Sequence, residues 1–250
     1  MLNEQTINQL TEMRLRSMAK ALREQMLDSS AVSGLSFEER FGLIVDRQWS
    51  DRNNNHISRL IKSAAFKFPY ACVENIRYDD DRNLDKNLIS QLGSGQYIKN
   101  KNNIIVTGAS GAGKTYMGCA FGVSACRQLY KVKYIRLPEL LEDLNIARGE
   151  GLYKRTIANY KKYQVLIFDE WMLIPLNEIQ TADLFEIIES RYDENSTVFI
   201  AQSDPAGWYQ MIGESRIADA ILDRIVPNSY KIFIDGKESM RDKLGLSVNE

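Results

Sequence analysis

One eight-residue stretch constrains this chain more than any other. Gly108-Ala109-Ser110-Gly111-Ala112-Gly113-Lys114-Thr115 fits the pattern G-x-x-x-x-G-K-[ST] at every fixed position. It follows the apolar run Ile104-Ile105-Val106 and opens a helical pattern, so it reads as strand, loop and helix start. Glycines let successive backbone N–H groups curl round phosphate oxygens, and a helix N-terminus adds partial positive charge. In this pattern Lys114 reaches the β and γ phosphates and the Thr115 hydroxyl helps hold Mg²⁺. ATP and Mg²⁺ are the expected cofactors.

A loop of this kind needs strands beside it. From Asn103 onward, β-rich runs at 104–107, 132–137, 165–169, 197–201 and 230–235 alternate with helical patterns at about 114–129, 138–147, 151–162, 177–192 and 214–225. The alternation predicts an α/β domain over residues 102–250, with a parallel five-stranded sheet covered on both faces. Ligands of such sheets bind at the carboxyl ends of the strands. Val165-Leu166-Ile167-Phe168 ends there in Asp169 and Glu170. Asp169 is expected to orient the Mg²⁺ water shell. Glu170, pointing differently, is expected to polarise a water for attack on the γ phosphate, which favours hydrolysis over transfer. The strand at 197–201 ends in Gln202 and Ser203; Gln202 is the first candidate for placing that water and Ser203 the second.

The first 68 residues read as helices and predict a DNA- and partner-binding domain. Ile7, Leu10, Met18, Leu22 and Met26 suggest one helix over about 4–27. Ser36 and Glu39 match a capping box for a helix to about Trp49. Asn53 to Asn55 read as the cap of a further helix, with His56 at its start and Pro69 at its end. Residues 69–101, with Asp79-Asp80-Asp81 and Gly93-Ser94-Gly95, read as a linker holding one short helix over 84–92.

Composition narrows the function classes. The 250 residues carry a formal net charge of −1, which excludes a strongly basic coat protein and an acidic tail. No apolar run approaches the ~20 residues that span a bilayer, and the start of the chain lacks a secretory pattern. Three cysteines without a Cys-x-x-Cys pair predict a reducing, cytoplasmic setting with Cys119 and Cys126 buried on one helix face. A single histidine excludes a multi-His metal site.

Charge is uneven along the chain. Residues 40–67 hold six basic residues (Arg40, Arg47, Arg52, Arg59, Lys62, Lys67) against two aspartates. Residues 145–163 hold Arg148, Lys154, Arg155, Lys161 and Lys162 against one glutamate. Both stretches are candidate DNA surfaces acting through counterion release. Tyr153, Tyr160 and Tyr163 in the second stretch either rest on sugars or pack inward.

The chain resembles the IstB-like ATP-binding proteins of insertion sequences, helper ATPases of a DDE transposase and AAA+ relatives of the DnaC helicase loaders. The resemblance covers nearly the whole chain. It rests on the phosphate loop, Phe168-Asp169-Glu170-Trp171, the run from Ile217 to Val226, and Gly236-Lys237-Glu238-Ser239-Met240-Arg241. Leu35 to Phe41 and Arg136 to Leu141 are similar to the family as well. By this resemblance Arg224 is the arginine finger that enters a neighbouring subunit's ATP site, with Arg216 as its competitor. Arg241 is the second sensor arginine, and Gln202 takes the first sensor position. Trp171 has no role beyond packing in this reading. The resemblance implies an AAA+ domain without a C-terminal lid, ATP-dependent self-assembly on duplex DNA, and a transposase partner. A replicative helicase loader, a small-molecule P-loop kinase and a non-hydrolysing ATP-bound scaffold are the competing functions.

Overall fold

The first helix stops where its apolar pattern continues. In the computed structural model, which describes residues 2–28, 32–213 and 215–235, α1 (Leu2–Glu12) and α2 (Arg16–Leu27) replace the single helix expected over 4–27. Arg14 is left-handed (φ 62°), the Leu15 N–H donates to Leu10 O (2.8 Å) and the Arg14 N–H to Thr11 O (3.0 Å). This is a Schellman stop with arginine where glycine is usual, so it leaves no mark in the sequence. Lys101 and Leu129 end helices in the same way.

The capping box forms as expected: Glu39 N–H donates to Ser36 Oγ (3.2 Å) and Ser36 N–H to Glu39 Oε2 (2.8 Å). The helix it opens, α3 (Phe37–Ala64), runs straight through Asn53–His56. The expected break there is absent. Asparagine costs only tenths of a kcal/mol in an exposed helix interior, too little to stop an established helix. Ala65 (φ 58°) ends it, four residues before Pro69.

The chain forms two compact units, Met1–Arg59 and Leu60–Glu250. In the first, Ile7, Ala19 and Ile44 are buried, and Gln25 Nε2 donates to Arg40 O (3.0 Å) between α2 and α3. The second begins earlier than the expected boundary at 68. The stretch 69–101 is no linker: two single 3₁₀ turns, α4 (Lys86–Gly93) and α5 (Gln96–Lys99) bury Ala71, Ile76, Ile89, Leu92, Tyr97 and Ile98 in the main core. The three aspartates that give it a linker's texture lie in or beside the second 3₁₀ turn, Asp80–Arg82. Its apolar positions follow no single period, which hides them.

The sheet follows the expected alternation. The order along the chain is β1 (Asn103–Gly108), α6 (Lys114–Arg127), β2 (Val132–Arg136), α7 (Leu137–Gly149), α8 (Tyr153–Lys161), β3 (Val165–Trp171), α9 (Glu178–Arg191), β4 (Ser196–Ala201), α10 (Pro205–Ile212), α11 (Arg216–Ile225) and β5 (Ser229–Ile234). All pairings are parallel and the strand order is β2-β3-β4-β1-β5. The unforeseen element is α10, capped by the Asp204 side chain on Gly207 N–H (3.0 Å) with Pro205 in its first turn. Gly118 and Gly122 let α6 lie close on the sheet: a Cβ at either would come within 2.4 Å of Ile200 or Phe66.

Two buried features anchor this unit. Arg191 is 2% exposed and donates to Tyr160 O (2.9 Å), Tyr163 O (2.8 Å), Ser196 O (2.6 Å) and Thr197 Oγ1 (3.1 Å), tying the end of α8 to the start of β4. Burial pulls its guanidinium down to about 9. Cys119 and Cys126 are fully buried, as expected, and burial pushes their thiols up to about 11 and about 12. A group with a raised folded pKa stabilises fully below its unfolded value, here 9.0, and loses that contribution as pH rises through the folded one. Arg191 acts in the opposite sense. The Cys119→Ala, Cys126→Ala double variant is therefore expected to lose less stability than the parent between pH 9 and about 11, measured by urea unfolding.

Candidate nucleotide site

The loop after β1 has the backbone that its glycines predict. Gly108 sits at φ 149° with a hypothetical Cβ only 2.4 Å from Ile234 O, so no other residue fits beside β5 there. Gly111 (φ 81°) and Gly113 (φ 92°) are left-handed, turning the loop into α6. Lys114 is the first residue of α6, is buried, and donates from Nζ to Gly108 O (2.8 Å) and Ala109 O (2.7 Å). Arg82, missed in the sequence, braces the same loop. It is buried and donates to Ala112 O (2.8 Å) and Arg77 O (2.6 Å), while burial lowers its pKa.

The strand order sets β4 between β1 and β3, so Gln202 leaves the sheet between the phosphate loop and the acidic pair. Asp169 Oδ2 accepts from Thr115 Oγ1 (3.0 Å) and from Tyr134 OH (2.6 Å), and Oδ1 accepts from the Glu170 N–H (2.9 Å). Burial, and then the bond to Asp169, push the Tyr134 hydroxyl far above its usual range. Tyr134 was not foreseen, since an inward tyrosine on a buried strand reads as core.

Glu170 departs from strand geometry. Phe168 pairs with Phe199 and Trp171 with Ala201, so Asp169 and Glu170 together face the single residue Ile200. Glu170 (φ 53°) and Met172 (φ 50°) are both left-handed, a conformation costing about 1–3 kcal/mol each for such residues. The bulge separates the two carboxylates: Asp169 faces Thr115, while Glu170 Oε2 lies 3.2 Å from Arg136 Nε at the end of β2. Arg136 also faces Glu139 (3.4 Å), and neither contact has hydrogen-bond geometry.

Lys114, Thr115, Asp169, Glu170 and Gln202 line one cleft of about 980 Å³. It continues past Tyr116 to Phe68 and Asn75–Arg77, with the Phe68 and Tyr116 rings 6.0 Å apart. The donor set suits Mg²⁺, which takes one or two protein oxygens and completes its shell with phosphate and water. Among the described residues no group of three His, Cys, Asp or Glu side chains forms a closed metal cage.

Comparison with known proteins decides the family. The model for the IstB-like ATP binding protein family matches residues 8–247. The chain belongs to that family. It is 42% identical over 202 residues to the putative ATP-binding protein of insertion sequence IS1162 from Pseudomonas fluorescens, covering 81% of this chain and 87% of that one. It is 37% identical over 243 residues to the putative insertion sequence ATP-binding protein y4pL of Sinorhizobium fredii (strain NBRC 101917 / NGR234), covering 97% and 98%. The fold is the AAA+ fold. AMPPCP-bound DnaA from Aquifex aeolicus superposes with a TM-score of 0.56 at 18% identity over 70% of this chain and 53% of that one. The DnaC helicase loader superposes at 0.52 and 16% identity over 66% and 97%.

The remaining site residues of this IstB-like chain fall in three places. Arg224, near the end of α11, contacts Glu189 and Ala220 O (2.8 Å) and lies over the Phe185 ring (5.2 Å to its centroid). It shares a small pocket with Asn103, Asn195, Thr197 and Asn228, at the start of the strands. Arg216 is exposed at the other end of α11, and Ile217 beside it is 40% exposed. Arg241, with the whole run Gly236–Arg241, lies outside the described residues.

The basic clusters divide. Lys154, Arg155 and Lys161 of α8 and its C-cap residue Lys162 are exposed, while Tyr153 and Tyr160 turn inward to Asp183 (2.8 Å) and Asp143 (2.9 Å). Arg148 leaves the group: it pairs with buried Asp183 and stacks on Tyr153 (4.2 Å). On α3, Arg47 pairs with Asp51 (3.5 Å), whereas Arg52 and Arg59 are exposed. Lys62, in the last turn of α3, is exposed too. Lys67 lines the nucleotide cleft.

Removing the Lys114 ammonium takes a charged donor out of a buried loop, worth about 3 kcal/mol or roughly 10²-fold in Kd. Lys114→Ala is expected to lose ATP affinity by that order, read by titration with a fluorescent ATP analogue; unchanged affinity would remove the loop assignment.

Proposed function

We propose that this protein is an ATP-hydrolysing helper of a DDE transposase, assembling with copies of itself on duplex target DNA. ATP lies in the 980 Å³ cleft. Its phosphates are held by the N–H groups of Gly108–Thr115 and by Lys114, which exchanges loop carbonyls for phosphate oxygens. Thr115 and Asp169 hold Mg²⁺, which when bound neutralises charge developing on the phosphates. Glu170, set apart from Asp169 by the bulge, takes the proton of the attacking water, and Gln202 helps place that water.

The observation that carries the assembly is the position of Arg224. It sits by the start of the strands, whereas the phosphate loop leaves their ends, and a six-residue strand spans ~17 Å. A guanidinium there serves a neighbouring copy's phosphates, not its own chain's. ATP then joins subunits, and hydrolysis releases or remodels them. The exposed face of α8 supplies four cations for DNA phosphates, with Arg52, Arg59 and Lys62 of α3 as further contacts. Arg148, engaged by Asp183, contributes packing instead. Similarity to insertion sequence proteins at 42% and 37% identity supports transposition over helicase loading.

Glu170→Gln is expected to keep ATP binding, lower turnover by about 10²-fold or more and trap an ATP-bound oligomer on DNA. Turnover assays with size-exclusion light scattering read both effects, and unaltered turnover would show that another group activates the water. Changing Lys154, Arg155, Lys161 and Lys162 together to Ala should weaken duplex binding and flatten the dependence of log K on log salt by about 3.6 units. An unchanged slope would return that face to solvent.

A further inference from the structure

Trp171 follows the acidic pair, and its surroundings account for the shape of the site. Alternation along an unbulged strand puts residues three apart on opposite faces. Phe168 and Trp171 nevertheless lie in the same buried cluster, stacked with centroids 5.4 Å apart. The indole also packs against Phe199 (4.6 Å) and Trp208 (5.7 Å) and is 1% exposed. Left-handed Glu170 and Met172 flank it on either side. A single weak turn bond, Leu173 N–H to Glu170 O (3.4 Å), closes the segment. The indole N–H is buried without a partner, so packing rather than hydrogen bonding holds the ring.

We propose that Trp171 is a positioning residue for ATP hydrolysis. Its indole, clamped by Phe168, Phe199 and Trp208, forces the extra residue of β3 to be Glu170 and keeps that residue left-handed. The carboxylate is thereby held away from Asp169 and beside Arg136. When the clamp is loosened, Glu170 relaxes toward extended backbone, β3 recovers its alternation and the carboxylate leaves the attacking water. Trp171 borders the cleft, but its indole is 1% exposed and turned into the aromatic cluster, so it acts through Glu170. The inference rests on the role proposed above for Glu170.

The test compares Trp171→Leu, Trp171→Phe, Glu170→Gln and the Trp171→Leu, Glu170→Gln pair by steady-state ATP turnover and nucleotide affinity. Trp171→Leu is expected to lower kcat by about 10²-fold with KM and ATP affinity little changed. Trp171→Phe, which keeps a ring and sacrifices no hydrogen bond, should recover most of that loss. Adding Trp171→Leu to Glu170→Gln should cost no further kcat, because a residue acting only through Glu170 has nothing left to position. Should Trp171→Leu not fold, Phe199→Leu, which removes the ring nearest the indole (4.6 Å) and no hydrogen bond, is read by the same criteria. Parallel losses in affinity and kcat, a Phe variant no better than Leu, or additive losses in the pair would overturn the positioning role. Normal turnover in Glu170→Gln alone would instead overturn the assignment of the base.

Discussion

All five strands of the sheet run in the same direction, and β1 leaves it through a glycine pressed against a carbonyl of its neighbour β5. That arrangement brings the loop after β1, the end of β4 and the bulged end of β3 to a common edge. Lys114, Gln202 and Asp169 come from segments more than thirty residues apart, yet they line one cleft because their strands are neighbours in the order β3-β4-β1. The glycine positions are equally dictated. A side chain at Gly108 would collide with the backbone of β5, and side chains at Gly118 or Gly122 would press into Ile200 or into Phe66 and Ile167.

Buried polar groups hold this frame in register. Asp169 takes two hydroxyl donors and a backbone N–H, which pins the carboxylate that faces Thr115. Arg191 spends its donors on three backbone carbonyls and one hydroxyl, joining α8 to the sheet, so the basic face of α8 is presented by a rigid element. Asp183 plays a comparable part between α7, α8 and α9, and it does so by capturing Arg148. A half-exposed cation in a basic stretch can thus be engaged by a buried carboxylate of its own chain, which the sequence does not reveal.

Much of the fold was legible beforehand. Each of the five strands lies within a residue or two of its expected place, as do the helices between them other than α10, because buried parallel strands make dense apolar runs and the phosphate loop has a near-unique spacing. The capping box at Ser36 was legible for the same reason: its chemistry is local. The helix ends at Arg14 and Lys101 were not, because non-glycine residues occupy left-handed positions stabilised by bonds to the preceding turn. Within 69–101 the short helix is legible and forms as α4, whereas the packing of the stretch into the main core is not, because its buried side chains follow no single period. Trp171 packs in the buried cluster, and its neighbours in the chain reveal nothing more.

The order of residues alone settled the chemistry on offer: a phosphate cradle, a lysine, a hydroxyl, two acids and a set of cations, each carried by local spacing. It could not settle which groups meet. Tyr134 reaches Asp169, Arg136 reaches Glu170 and Asp183 claims Arg148 only because strands and helices distant in the chain become neighbours. The separation of the two acids is likewise a tertiary matter. It depends on a one-residue mismatch between β3 and β4 and on an aromatic cluster drawn from three elements. Spacing is a property of covalent succession, whereas the mismatch exists only once two strands are laid side by side and the indole has somewhere to be buried.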